Sequence, residues 1–254
     1  MTALEVTNLD KRYDATWAVR GVTLTVPSGE ILGLVGPNGA GKTTTLRCLA
    51  GILRPSAGTI RIAGHDLGAD PVAAKRGLAF LPDEPRLFDY LTVLEHLNFV
   101  ARLYGVADWE ARAAKLLAEL ELDAKKDALP GELSRGMKQK LSIACGFLHD
   151  PALVLLDEPL TGLDPIAIRK MKQSIRARAE RGSAVVLSSH LLPLVEELCD
   201  RVCVIARGRV RALGTIDEIR AQLGAGGADE EVSLEELFVR ITESAGAQSE
   251  RRIP

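Results

Sequence analysis

The chain has 254 residues, 46% of them hydrophobic and 26% charged, and its 32 Lys+Arg against 34 Asp+Glu leave a net charge of −2. That balance excludes wholesale disorder and disfavours a nucleic-acid binder built on a cationic face. The four cysteines, at positions 48, 145, 199 and 203, form no Cys-x-x-Cys pair, so they read as small buried residues of a reduced protein rather than a disulfide framework or zinc site.

No apolar run approaches the roughly 18–20 residues of a membrane span; Ile31–Val35 and Ala152–Leu156 are typical of the longest. Met1–Glu5 has neither the basic start nor the apolar stretch of a signal peptide, so any membrane role is expected to come through a partner. The chain opens with β-branched runs at Leu4–Val6, Trp17–Val26 and Ile31–Val35, then a helix from Lys42 to about Ala50 and a strand at Gly58–Ile62. Gly77–Leu81 is a short strand ending at Pro82. Thr92 and Glu95 match a capping box, followed by a helical stripe of Val93, Leu97, Val100 and Tyr104. Asp108 is placed to cap a second helix, with Trp109, Ala113, Leu116 and Leu120 on its apolar face.

From Ala152 onward strands and helices alternate. Leu153–Leu156, Ala184–Ser188 and Val202–Ala206 are separated by helices near Ile166–Arg181 and Leu191–Cys199, the pattern of parallel strands joined by crossover helices. Thr215 with Glu218, and Ser233 with Glu236, suggest two further capping boxes on either side of the flexible Gly224–Gly227 break. The second box opens a short helix with Leu234, Leu237, Phe238 and Ile241 on one side, and Gln248–Pro254 reads as a frayed tail. The expected organisation is a main domain over 1–223 with a helical subdomain inserted at about 84–150, a linker at 224–231, and a short helix and tail at 232–254.

The strongest chemical signal is Gly36-Pro37-Asn38-Gly39-Ala40-Gly41-Lys42-Thr43, which fits G-x-x-x-x-G-K-[ST] between a strand and a helix. The glycines let backbone amides point inward as an anion cradle, and the helix start adds its positive end. Lys42 supplies a mobile charge to the β- and γ-phosphates, and the Thr43 hydroxyl suits Mg²⁺. The second element is Leu153-Val154-Leu155-Leu156-Asp157-Glu158, a buried strand that delivers Asp157 at its carboxyl end for Mg²⁺. Glu158, one residue on, is the better candidate for polarising an attacking water. Alone, such a run is an ordinary strand end; with the phosphate loop it becomes a nucleoside-triphosphate site.

At this point the chain resembles the ATP-binding cassette ATPases over roughly residues 3–243. Leu133-Ser134-Arg135-Gly136-Met137 is similar to that family's signature Leu-Ser-Gly-Gly-Gln, although by itself it would be a plain serine cap before a helix. The resemblance implies an α/β P-loop fold: a mostly parallel core sheet, an N-terminal antiparallel β subdomain and the inserted helical subdomain. It implies that Tyr13 stacks on adenine, and that Val19, residues 36–43 and Thr44 line the ATP site. Ser134, Arg135 and Gly136 would contact the nucleotide of a second subunit, with Asp164, in Thr161-Gly162-Leu163-Asp164, in the loop joining the two sites. His190, closing the strand at Ser188-Ser189-His190, would contact the γ-phosphate and act with Glu158 in catalysis. Thr43, Asp83 and Asp157 would hold Mg²⁺.

Three positions depart from the family pattern: Asp83 stands where most cassettes have a glutamine, Arg135 where they have a glycine, and Met137 where the signature has a glutamine. The implied protein is a cytoplasmic ATPase, peripheral on the membrane's cytoplasmic face, that pairs with an identical or related cassette and drives a transmembrane permease. Asp83 and the C-terminal Leu234-Glu235-Glu236-Leu237-Phe238 favour export, and no nucleic-acid partner is expected. The alternative, a soluble cassette ATPase serving a ribosome or nucleic-acid machine, would usually carry two cassettes or a long coiled coil. Six of the ten aromatics fall within residues 80–109; Phe99, Tyr104 and Trp109 read as core of the helical block, and Phe88 and Tyr90 as a docking groove.

Overall fold

The computed structural model describes residues 1–161, 164–222, 233–239 and 241. Gly162, Leu163, the expected linker at 224–231 and the tail at Gln248–Pro254 lie outside the described residues. Two sheets organise the chain. Strands β1 (Thr2–Tyr13), β2 (Thr16–Pro27), β4 (Ala57–Ile62) and β5 (His65–Asp66) form an antiparallel sheet in the order β2-β1-β4-β5. Strands β3 (Ile31–Val35), β6 (Leu78–Leu81), β7 (Leu153–Asp157), β8 (Ala184–Ser188), β9 (Arg201–Ala206) and β10 (Arg209–Gly214) form the second, in the order β10-β9-β3-β8-β7-β6. All its pairings are parallel except β9 with β10.

Every residue of β3, β7 and β8 is buried, as expected of parallel strands covered on both faces. Alternation along each strand divides the core in two. Ile31, Val35, Val154, Leu156, Val185 and Leu187 join one cluster with helices α3 (Val93–Tyr104), α4 (Trp109–Glu119), α5 (Arg135–Phe147), α6 (Pro165–Glu180) and α7 (Leu192–Leu198). Leu32, Leu34, Leu153, Leu155 and Val186 face the antiparallel sheet and α1 (Lys42–Leu49). Leu234, Leu237 and Ile241 also reach the first cluster, beside Ile219 of α8 (Ile216–Gln222).

The capping boxes at Thr92/Glu95 and Thr215/Glu218 carry both reciprocal hydrogen bonds. At Ser233 the hydroxyl accepts the Glu236 amide at 3.3 Å. Asp108 does not cap α4 through its side chain: the carboxylate makes no hydrogen bond to the helix amides and turns instead to Arg112 at 3.0 Å, four residues on. Leu78–Leu81 ends where the sequence turns at Pro82, while the six-residue helix α2 (Pro71–Arg76) and the two-residue β5 carry too few residues for a periodic signal. Phe99 and Tyr104 are not enclosed in the helical block; they are 45% and 36% exposed.

Candidate nucleotide site

The carboxyl ends of β9, β3, β8, β7 and β6 lie side by side, and each carries a site segment. Register places Leu34 opposite Ser188, and Ser188 opposite Asp157. The phosphate-loop strand therefore does not touch the strand bearing Asp157; β8 separates them and puts Ser188 between. This is the crevice outside a parallel sheet where ligands bind in open α/β folds.

The phosphate loop leaves β3 and enters α1 at Gly41, whose φ of 108° is open to glycine alone without strain. A Cβ there would stand 2.3 Å from the Ala18 carbonyl oxygen, so β2 backs the loop closely. From the other side the Gly208 amide donates to Ala40 O at 2.9 Å. Lys42 Nζ folds back across the loop and donates to the carbonyls of Gly36 at 2.6 Å and Pro37 at 3.3 Å. Burial pushes the Lys42 ammonium below the usual lysine range, against the pull of Glu158 and Asp157. Thr44 lies in the first turn of α1, half-buried.

Asp157 Oδ1 accepts two hydroxyls, Ser188 Oγ at 2.7 Å and Thr43 Oγ1 at 3.2 Å. Ser188 Oγ also accepts the Glu158 amide at 3.1 Å. Glu158 has a φ of 49°, an uncommon left-handed conformation for glutamate, which turns its carboxylate away from the strand direction. Its Oε2 meets His190 Nδ1 at 2.8 Å. Lys42, Thr43, Asp157, Glu158 and His190 are thus one linked cluster, and Ser188 is the bridge that motif reading did not assign. The sheet order that would have revealed it is not readable from strand sequences.

Tyr13 ends β1, 44% exposed, with Lys11 Nζ 5.0 Å from its ring centroid. Val19 is fully buried, and its Cα would lie 3.3 Å from a Cβ at Gly208. Asp164 caps α6 by accepting the Ala167 amide at 2.9 Å. Ser134 caps α5 through the Met137 amide at 3.3 Å, and neither it nor Gly136 hydrogen-bonds any residue of the phosphate loop. The segment 134–136 instead meets Asp83, through Arg135 Nη2 at 3.9 Å.

Among the described residues no three His, Cys, Asp or Glu side chains gather as a metal site. The donor set that is present, Thr43 Oγ1 beside the Asp157 carboxylate, suits Mg²⁺, which binds through one or two carboxylates together with substrate phosphates. Asp83 Oδ1 is buried and takes no hydrogen bond, a carboxylate oxygen still open to a hard cation.

A groove lies beyond Asp83. Phe88, Phe99, Val100, Leu103, Tyr104 and His149 are among the residues lining a cavity of about 300 Å³. Phe88 packs edge-on against Phe99 at 5.2 Å, and Tyr104 stacks on His149 at 3.7 Å. His96, 4% exposed, accepts the Phe88 amide at Nε2 and reaches Thr92 O with Nδ1, which anchors the groove wall. No helix among the described residues is long and apolar enough to cross a membrane.

Residues 19–161 match the model of a family described as ABC transporter. The chain is 36% identical over 249 residues to the ABC-type transporter ATP-binding protein EcsA of Bacillus subtilis, covering 97% of this chain and 99% of that one. It is 38% identical over 253 residues to Nod factor export ATP-binding protein I of Burkholderia orbicola, covering 96% and 83%. A solved ATP-binding subunit of an ABC transporter superposes with a TM-score of 0.89 at 38% identity, covering 94% of this chain and 99% of the other.

Proposed function

Because the chain belongs to the ABC transporter family and is an ATP-binding, ATP-hydrolysing subunit of that kind, we propose that it energises export by a separate membrane-spanning permease. The observation that carries the chemistry is the linked cluster itself, with Glu158 held by His190 next to the Thr43–Asp157 pair. In this reading the loop amides and Lys42 bind the triphosphate, and Tyr13 supports the adenine. Thr43, Asp157 and Asp83 would hold Mg²⁺, which supplies electrostatic stabilisation of the phosphates.

Glu158 accepts a proton from the attacking water while the His190 contact fixes its carboxylate, leaving Oε1 for that water. Lys42 offsets charge that develops on the γ-phosphate. Ser134 and Gly136 make no hydrogen bond to their own chain's phosphate loop, which supports a head-to-tail pair in which each signature turn closes on the other copy's nucleotide. Two ATP molecules then stabilise the closed dimer, and hydrolysis removes those contacts.

The aromatic groove beside Asp83 is where a short cytoplasmic helix of the permease docks, which places the chain on the cytoplasmic face of the membrane. Export is supported by the relative whose name includes it. The direct test is Glu158→Gln: ATP binding persists, and turnover falls roughly 10²–10⁴-fold, the range for losing a general base. Near-normal turnover would remove Glu158 from the role.

A further inference from the structure

Two of the departures from the family pattern lie against each other. The geometry points to Asp83 and Arg135 acting as one unit, an intrachain ion pair that shares Asp83 between the chain's own nucleotide site and its own signature turn. Occupying the first frees Arg135 for the nucleotide of the second copy. This rests on the dimer reading above and adds a link between its two sites.

Each charge is unfavourable alone. Asp83 Oδ1 is buried without a hydrogen bond, so that one oxygen of an otherwise exposed carboxylate has lost water and gained no donor. Arg135 is the first residue of α5, where a cation opposes the positive end of the helix. Placed 3.9 Å apart, the two offset each other. That separation is too long for a hydrogen bond and short enough for Coulombic attraction. Their side chains are 46% and 61% exposed, so the pair is weak, and a weak pair is one that a bound nucleotide can displace.

Asp83 follows β6 at the nucleotide edge and Arg135 begins the signature helix, so the contact joins a segment that the dimer reading assigns to the chain's own nucleotide with the segment it assigns to the other copy's. When Asp83 turns to the metal-bound triphosphate of its own chain, Arg135 loses its counter-charge. Its guanidinium, adjacent to the Ser134 cap, is then available to a phosphate across the interface.

A double-mutant cycle on the full chain tests this, with Asp83→Asn, Arg135→Gln and both together, each in a Glu158→Gln background that removes turnover. Binding of ATP with Mg²⁺ is measured at protein concentrations that keep the chain monomeric, and again in EDTA; dimerisation is followed separately by sedimentation. Arg135→Gln is expected to tighten monomer binding two- to fivefold with Mg²⁺, the range of an exposed ion pair. It is expected to change nothing in EDTA or alongside Asp83→Asn, and to weaken the ATP-bound dimer. Arg135→Lys, which keeps the charge, should restore parental binding and controls for disturbed folding. Equal effects of Arg135→Gln with and without Asp83→Asn, or no effect at all, would overturn the pairing. A coupled monomer cycle with no ATP-dependent dimer even in the parent would instead contradict the dimer reading and the release of Arg135 with it.

Discussion

Ser188 Oγ donates to Asp157 Oδ1 at 2.7 Å and, through its other side, accepts the Glu158 amide at 3.1 Å. One fully buried hydroxyl therefore sets both consecutive carboxylates, the first by a direct bond and the second through its backbone. Ser188→Ala removes both bonds and should destabilise the protein by about 1–3 kcal/mol. Asp157 loses its Ser188 hydroxyl partner, and the Glu158 amide keeps only its bond to Ser188 O at 3.2 Å, so kcat should fall about 10–100-fold, as for lost supporting contacts around other sites. ATP affinity should stay near the parental value, since Lys42 and the loop amides are untouched. Steady-state kinetics with equilibrium ATP titration separates the two; a loss confined to affinity would contradict the tether.

Burial holds Lys42 below its ordinary 10.5 in the nucleotide-free protein, and triphosphate binding requires the ammonium. ATP affinity should therefore be level near neutrality and decline on the alkaline side before an ordinary lysine would titrate. Stability runs the other way. Between the depressed folded value and the unfolded one, the unfolded chain binds more protons, so the contribution of Lys42 to stability improves as pH rises through that window. Lys42→Arg cannot titrate and should give weaker but pH-independent binding. Titrations from about pH 7 to 10 check both curves.

Gly41 and Gly39 share positive φ, 108° and 75°, yet differ in surroundings. A Cβ at Gly41 meets the Ala18 carbonyl at 2.3 Å, whereas one at Gly39 meets nothing within 4 Å. Gly41→Ala should displace the loop from β2, cost about 1–3 kcal/mol and abolish ATP binding. Gly39→Ala should cost about 1 kcal/mol, from backbone strain alone. Thermal unfolding with ATP titration distinguishes them, and equal effects would contradict the close approach.

Phe88, 54% exposed, lines the groove beside Asp83, whereas Tyr90, two residues on and 92% exposed, is not among its lining residues. In an assembled transporter, Tyr90→Cys should cross-link to a cysteine in a cytoplasmic helix of the permease. Phe88→Asp, a charge against Phe99 and His96, should weaken assembly. Absence of any cross-link in an assembled complex would contradict docking at this groove.

The central strands were legible because parallel strands buried on both faces read as continuous apolar runs, as Leu153–Leu156 and Ala184–Ser188 do. Strand β1 was legible only at Leu4–Val6: it runs from Thr2 to Tyr13, but register shifts between Val6, Leu9 and Lys11 break the alternation that marks a strand. Asp108 shows the opposite failure, a sound capping residue diverted by a nearby arginine. Phe99 and Tyr104 follow a helical stripe, and periodicity cannot tell an enclosed face from one lining an open groove.

At the candidate site, sequence order supplied the residues at strand ends, and folding them to one edge brings Lys42, Thr43, Asp157, Glu158 and His190 together. The bridge through Ser188 and the contact of Asp83 with Arg135 depend on which strand lies beside which. Neither spacing nor composition records that.

Sedimentation of Glu158→Gln with Mg²⁺ and saturating ATP probes the paired-nucleotide clamp most directly. The expected result is a monomer without nucleotide or with ADP, a dimer with ATP, and loss of that dimer on Ser134→Arg while monomer ATP affinity is retained. A chain that stays monomeric with ATP bound, or a dimer indifferent to Ser134→Arg, would contradict it.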